Sequence, residues 1–370
     1  MNSVRILHTA DWHLGKEHSY LGAKGEQRKQ EVLLTVKSAI SLCEKENVDL
    51  LLIAGDMFES NRAAKLFADE VLNCFAELTR TKVLIALGNH DPLTADSPFK
   101  NKTLPPNVFV FPENDSVFPF PELGCRVYGR SFSSVYSQGE ERFFLTVPAD
   151  DKVNILLLHG ETKSDLSSPY FSVTKTFIEE SKMDYIALGH NHKRSEIVRL
   201  GATRFAYSGC IEGQGYDESG LKGAYLGDIS KNSVKLNFVP LAKRVYHDID
   251  VDVTGVLSVS ESVVSKIKET SENYSDDLFY INLVGETETA DTINISEIKA
   301  AAEPQVYALR IKDKTKVKLD LELLANENSL RGRFVCEMLE KADEKDKELY
   351  ENALQIGLKS FDGQVNFGDN

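Results

Sequence analysis

VRILHTADWH, residues 4–13, carries the pattern on which the reading of this chain turns: an apolar run that ends in Asp11-Trp12-His13. The same arrangement recurs four times. VDLLLIA runs into Gly55-Asp56, KVLIAL into Gly88-Asn89-His90-Asp91, VNILLL into His159-Gly160, and MDYIAL into Gly189-His190-Asn191-His192. Runs that are apolar at every position, rather than at alternate ones, indicate parallel strands covered on both faces. In open α/β sheets, ligands gather beyond the carboxyl ends of such strands. Five strands delivering Asp, His and Asn there would crowd together oxygen and nitrogen donors that repel one another unless cations fill the space. The expected chemistry is that of a two-metal hydrolase.

The spacing suggests how the donors share the work. Alternate residues of an extended chain point the same way, so Asp11 and His13 can grip one ion. The two oxygens of Asp56 can bridge two ions, Asn89 offers a neutral carbonyl oxygen, and His159, His190 and His192 complete the set. Mixed nitrogen and oxygen donors without thiolate suit manganese, iron or zinc better than calcium or copper(I), and two divalent ions, manganese foremost, are expected. Held about 3.5–4 Å apart, such ions polarise a phosphoryl oxygen and stabilise the leaving oxygen. His90 is then free to protonate that oxygen, with Asp91 placed to orient its imidazole.

Outward from these motifs, residues 26–46 carry a helical stripe of Val32, Leu33, Val36, Ala39, Ile40 and Cys43. Further helices are expected at 63–78 and 174–181. After His192 the pattern turns to strands (TRFAYSGC, GAYLGDI, SVKLNFVPL), which implies two facing mixed sheets flanked by helices. Near Pro240 the pattern changes. RVYHDIDVDV, a helix at 260–270, LFYINLVG, a helix at 295–302 and VYALRIKD make a small α+β unit. Beyond Leu319 only helix is expected, with one apolar stripe of Leu330, Phe334, Met338 and Leu339 and another of Leu349, Leu354, Ile356 and Leu358. The expected domains are therefore 1–242 (catalytic), 243–325 (α+β) and 326–370 (helical tail).

Hydrophobic content of 42% and charged content of 27% exclude a disordered chain. A net charge of −14 excludes a protein coated in basic surface for nucleic acid. Residues 243–370 hold 16 Lys and Arg against 26 Asp and Glu, while residues 1–242 hold 27 against 31. Two divalent ions would bring the first part near neutrality. Any nucleic-acid contact is then local, or a partner supplies the positive surface. Five cysteines without a CxxC pair argue against a disulfide framework and for a reducing cytoplasm. No basic segment followed by an apolar one opens the chain, and no run is long enough to span a membrane, so no membrane association is expected. Trp12 is expected to pack against the sheet, His8 to be a core or ligand-supporting residue, His18 to sit in a loop, and His247 to lie on a solvent face. Cys210 falls near the site loops, and Arg130, Lys193 and Arg194 follow strand ends where phosphates could be met.

The set DxH, GD, GNHD, H and GHxH resembles the calcineurin-like metallophosphoesterase superfamily. HTADWHLGK at 8–16 and LLIAGDMFES at 51–60 resemble, more narrowly, the SbcD nucleases of double-strand-break repair, as does SGCIEGQGYDESGLKGAYLGDI at 208–229. The resemblance is strong over residues 1–240 and diffuse afterwards. It implies a four-layer αββα sandwich, with the α+β unit as a cap that limits which DNA reaches the metals. It places Asp11, His13, Asp56 and His192 on one ion and Asp56, Asn89, His159 and His190 on the other, with His90 as the acid-side catalyst. It further implies a DNA exonuclease and endonuclease subunit, a homodimer, and an SbcC-type coiled-coil ATPase as partner. Where some relatives carry His or Asp after the GD motif this chain has Glu59, so a substrate-orienting role does not carry over. The rival reading is a phosphodiesterase or phosphatase for small nucleotides or phosphoproteins, which would use the same metal site. The 128 residues beyond 242, which such an enzyme has little need of, speak against it.

Overall fold

A computed structural model describes residues 3–136, 146–163, 168–287, 293–318, 321–341 and 347–361. Contacts divide the chain into two units, Met1–Val245 and Tyr246–Asn370. In chain order the first unit runs β1 (Ser3–Thr9), α1 (Gly25–Lys45), β2 (Leu50–Ile53), α2 (Asn61–Ala76), β3 (Lys82–Ile85), α3 (Pro98–Asn101), β4 (Val108–Val110), β5 (Ser116–Phe120), β6 (Cys125–Gly129) and β7 (Val153–His159). It continues with β8 (Glu161–Lys163), β9 (Ser172–Thr174), α4 (Lys175–Glu180), β10 (Tyr185–Gly189), β11 (Val198–Leu200), β12 (Thr203–Tyr207), β13 (Gly223–Ser230) and β14 (Ser233–Pro240).

Two six-stranded sheets result, in the orders β14-β13-β1-β2-β3-β4 and β11-β12-β10-β7-β6-β5. Strands β1 to β4 are parallel, with Leu7 opposite Leu51 and Leu51 opposite Val83, and β13 closes on β1 antiparallel. In the second sheet β6, β7, β10 and β12 are parallel. The apolar runs have no polar face because each side chain enters one of two cores. From β2, Leu51 and Ile53 pack with Val36 and Phe75 of the helices α1 and α2, while Leu50 and Leu52 turn to the other sheet. There they meet Ile155 and Leu157 of β7 and Ala187 of β10. The alternate residues Leu156, Leu158, Ile186 and Leu188 pack outward with Ile178 of α4. This is the four-layer αββα sandwich expected from the sequence. Each fully buried Leu contributes roughly 1.5–3 kcal/mol by leaving water, so a polar substitution in any of these runs strikes a core. Ser60 and Thr174 start α2 and α4 by accepting the amides of Ala63 and Phe177.

The second unit is built from β15 (Tyr246–Asp252), α5 (Val259–Thr270), β16 (Leu278–Val284), β17 (Glu286–Thr287), α6 (Ile295–Ala302), β18 (Ala308–Asp313) and β19 (Lys316–Val317). Strands β15, β16 and β18 are parallel. Their residues Val251, Phe279, Ile281 and Leu283 pack with Val263 and Ile267 of α5 and Ile298 of α6. The expectation that His247 lies on a solvent face is corrected. It shares the face of Ile249 and Val251, stacks on Phe279 at 4.7 Å, and its Nε2 is 2.9 Å from Asp277. Helices α7 (Leu321–Ala325), α8 (Leu330–Lys341) and α9 (Lys347–Phe361) follow. Leu324, Val335, Leu354 and Leu358 form their seam, and the Gln355 side chain exchanges two hydrogen bonds with the main chain of Val317. Leu330, Leu339, Leu349 and Ile356 are left exposed. No helix among the described residues is long and apolar enough to cross a membrane.

Candidate metal centre

The ligand-bearing turns leave β1, β2 and β3 in one sheet and β7 and β10 in the other, so the donors arrive from two sheets rather than one. The turns are conformationally costly. Asp11, His13, Asp56 and His190 all have positive φ, at 51°, 46°, 49° and 97°, where side chains with a Cβ are disfavoured. Neighbouring turns hold them there: Asp11 N–H donates to Gly55 O at 3.0 Å, His13 N–H to Asp56 O at 3.0 Å, and His190 N–H to the Asp11 carboxylate at 3.0 Å. Gly88 of the GNHD motif is required because a Cβ there would collide with the Asp56 carboxylate.

The imidazoles reveal what the space is for. His13 Nδ1 lies 2.9 Å from Glu59 Oε2, and His192 Nδ1 lies 2.5 Å from Glu218 Oε1. Each ring therefore carries its proton on Nδ1 and donates it to a carboxylate, which leaves a lone pair on each Nε2. Those two nitrogens face each other at 3.0 Å. Two lone pairs aimed at one point repel unless a proton or a cation lies between them. His159 repeats the logic. Its Nδ1–H donates to Ala54 O at 2.8 Å, and its Nε2 faces Asn89 Oδ1 at 3.0 Å and Asp56 Oδ2 at 3.3 Å. Donor atoms within 4.8 Å of one another group as Asp11–His13–His192, Asp11–Asp56–His159, His13–Asp56–His90 and His192–Cys210–Glu218. His190 lies beside these groups, its ring edge-on to His159 with centroids 5.1 Å apart.

Electrostatics agree with a positive occupant. Burial resists charge on Asp56, yet the nearby His159 and His13 hold its carboxyl well below the usual range. Burial likewise opposes charge on His159, but Asp56 and Asp11 raise it to about 9. Asp11, wholly buried, is pushed upward by burial. A buried cavity that draws a proton onto an imidazole between carboxylates has the field a divalent cation would satisfy. The donor set thus fits two ions, with Asp11, His13 and His192 around one position, Asn89 and His159 around the other, and Asp56 between them.

A model of calcineurin-like phosphoesterases matches residues 4–194, which includes every one of these donors. The chain belongs to that family. Its members work with divalent metal ions. Among curated relatives, the uncharacterized metallophosphoesterase YhaO of Bacillus subtilis is 27% identical over 73% of this chain and 69% of its own length. The DNA double-strand break repair protein Mre11 of Sulfurisphaera tokodaii is 25% identical over 97% of this chain and 99% of its own. Mre11 of Sulfolobus acidocaldarius is 25% identical over 80% and 79%.

Around the phosphoesterase donors the structure adds residues that the sequence did not single out, and reassigns others. Glu218 is the clearest addition: Oε1 meets His192, while Oε2 accepts Gln214 N–H at 2.8 Å and the Cys210 thiol at 3.4 Å. Burial opposes its charge, but the His192 contact holds it at about 2. Glu59 braces His13 in the same way: burial opposes its charge, but the imidazole contact lowers its carboxyl. The expectation that Asp91 orients the His90 ring is corrected. Asp91 is fully buried and accepts the amides of Met57, Phe58 and Gly88, so it braces the GD and GNHD turns against each other. His90 Nδ1–H meets the Glu59 carbonyl at 3.1 Å instead, and its amide donates to Asp56 at 2.9 Å.

Trp12 is buried in the helix-side core, with Nε1–H donating to Thr9 at 2.8 Å. His8 bonds Tyr185 and the Leu188 carbonyl within the core. His18 lies in the loop after β1, as expected, and is buried there at 2% exposure. Arg194 packs over Phe238 at 4.5 Å, and Arg130 lines a cavity that also includes His159.

Proposed function

We propose that the chain is a metal-dependent DNA nuclease of double-strand-break repair, SbcD-type, that hydrolyses phosphodiesters with two divalent ions, manganese foremost. The observation that carries this reading is the span of the likeness to an Mre11 protein, which takes in the unit beyond Val245 as well as the phosphoesterase unit. When bound, the metal pair polarises the phosphoryl group and neutralises its developing charge.

The chain's own residues do the rest. Asp56 anchors the His90 amide, which fixes the ring at the mouth of the site, 41% exposed. With Nδ1–H tied to the Glu59 carbonyl, Nε2 is the atom left to face the substrate. Protonated there, His90 gives its proton to the leaving oxygen. Buried Asp11 and His159 exclude bulk water from the floor.

The test is the purified chain with manganese on labelled linear duplex, hairpin DNA and a small chromogenic diester. Cutting of DNA that stops in excess chelator is expected. Hydrolysis of the small diester with every DNA left intact would favour the small-substrate reading instead. The same proposal assigns the exposed faces of α8 and α9 to an SbcC-type ATPase, with the catalytic unit acting as a homodimer. Truncation before Asn326 should leave diesterase activity and abolish co-purification with the ATPase. Retained binding by a stable truncated chain would defeat the docking idea.

A further inference from the structure

His13 and His192 meet across the two sheets. One follows β1 and the other follows β10, yet their Nε2 atoms stand 3.0 Å apart. To share an ion, the two turns must be fixed against each other at this point. Glu218 braces the His192 ring, which does not by itself fix the main chain that carries the ring. That main chain is held at its carbonyl. Cys210 N–H donates to His192 O at 3.2 Å, and the Lys222 ammonium donates to the same oxygen at 3.2 Å. Both donors are rooted in the first sheet. Cys210 bridges to Ala10 at the end of β1. Lys222 directly precedes β13, and its own carbonyl accepts Leu241 and Ala242 N–H, just past β14, at 3.0 and 3.2 Å. The turns pack main chain on main chain, since a Cβ at Gly209 would come within 2.9 Å of the His192 oxygen.

Lys222 is the unusual member of this arrangement. It is 6% exposed, and its ammonium forms no ion pair with a described carboxylate. A lysine is rarely buried without such a partner, because burial strips the charge of water. What the ammonium supplies, and a methionine of the same shape would not, is the hydrogen bond to the His192 carbonyl. We propose that Lys222 is a positioning residue for the metal centre: it ties the His192 main chain to the β13–β14 hairpin and so holds Nε2 opposite His13. It acts through His192 and not on the reacting atoms. The inference rests on the two-ion reading above and assigns the ion position that Lys222 serves. Charge gives the idea a definite sign. A cation beside a metal site opposes a second cation, so by Coulomb's law alone removal of the ammonium tightens manganese binding. Removal of a strut weakens it.

The full chain is titrated with manganese by calorimetry. Lys222→Met should raise the manganese Kd about tenfold, the low end of what losing support for a ligating imidazole costs. Lys222→Gln, one atom shorter and out of reach of the carbonyl, should show the same loss, so the test stands on either variant. Lys222→Arg keeps a cationic donor and should hold the Kd within about threefold of the wild type. The effect should run through one ligand. On a His192→Ala background Lys222→Met should leave the Kd unchanged, whereas on an Asn89→Ala background, which strikes the other ion position, the loss should persist. In chelator Lys222→Met should melt no lower than the wild type, because a buried unpaired charge has gone. Tighter or unchanged manganese binding in both Lys222→Met and Lys222→Gln, or an equal loss on the His192→Ala background, overturns the proposal. A wild-type chain that takes up no manganese sinks the metal centre and the role of Lys222 with it. One that takes up two ions equally in every variant sinks the role alone. None of these titrations uses DNA, so the nuclease reading stands or falls separately.

Discussion

The first unit holds two buried clusters of charge, and they are built on opposite rules. Against α1, Arg28, Glu31, Glu212 and Arg244 alternate in sign. Arg244 meets both Glu31 oxygens at 2.7 and 2.6 Å, Arg28 meets Glu212 at 2.5 Å, and Thr35 and the Lys243 amide fill the other Glu212 oxygen. At the candidate centre, acceptor faces acceptor: Nε2 against Nε2, and Nε2 against an amide oxygen. The backbone is relaxed around the first cluster and left-handed at four residues of the second. A cluster whose charges offset one another serves the fold. One that stores mutual repulsion on a strained scaffold is waiting for something positive.

The largest expected effect breaks the second cluster at its shared member. Asp56→Asn keeps the shape and the acceptor for the His90 amide but removes the charge between the two ion positions. Turnover on a diester should fall about 10³-fold or more, with several kcal/mol of charge stabilisation gone, while the melting temperature changes little. Full turnover in Asp56→Asn, or in excess chelator, would sink the two-metal assignment.

His90→Asn sharpens the boundary between ligand and proton donor, since His90 belongs to a donor group with His13 and Asp56 yet stands at the open mouth. The expectation is a loss of about 10²- to 10⁴-fold in turnover with metal content retained by elemental analysis. Metal lost together with activity would move His90 into the ligand set.

The first cluster should respond in the opposite currency, stability without chemistry. Glu31→Ala leaves Arg244 buried without its carboxylate and should cost about 3–5 kcal/mol in denaturant unfolding. Glu31→Leu combined with Arg244→Met should recover most of that, because the pair is removed together. Burial opposes charge on Glu31, but the Arg244 contact depresses its carboxyl to about 2 from an ordinary 4.5. A depressed folded value means that the contribution is present above about pH 4.5 and is lost as pH falls through about 2. Unfolding followed across that window should show a slope in the wild type that Glu31→Gln lacks. Equal slopes would refute the assignment.

The comparison also explains what could be read before any coordinates. Leu50 to Ile53 announce a strand covered on both faces because each residue enters a core, and Asp56 announces itself because a charge directly after such a run has few bland explanations. Asp91 misled through adjacency. Next to His90 in sequence, it points back to Met57 and Phe58 across the turn, where three amides claim it. His247 misled because the charged residues around it hid an alternation that puts it on the apolar face. Glu59 and Glu218 were illegible as imidazole braces. They meet residues 46 and 26 positions away, and each is one of 57 acidic residues, most of which are solvated. Partners set by loop closure leave no periodic trace.

Glu218 therefore offers the smallest and most discriminating test of the rule that the centre stores repulsion. Its carboxylate serves two sets of donors at once, His192 on Oε1 and both Gln214 and Cys210 on Oε2. Glu218→Gln has one acceptor oxygen for those two sides, so an N–H must face a donor on one of them. If the amide N–H turns to His192, the imidazole moves its proton to Nε2, which blocks the atom that faces His13. Manganese affinity should fall about 10- to 100-fold by calorimetry, the usual cost of losing a carboxylate behind a ligating imidazole. Raising manganese should then restore turnover on a diester. A purely structural role for Glu218 predicts something different, a lowered melting temperature and activity that added metal does not rescue. Unchanged affinity in a well-folded Glu218→Gln chain would mean that His192 holds its tautomer without the carboxylate, and the brace would be incidental.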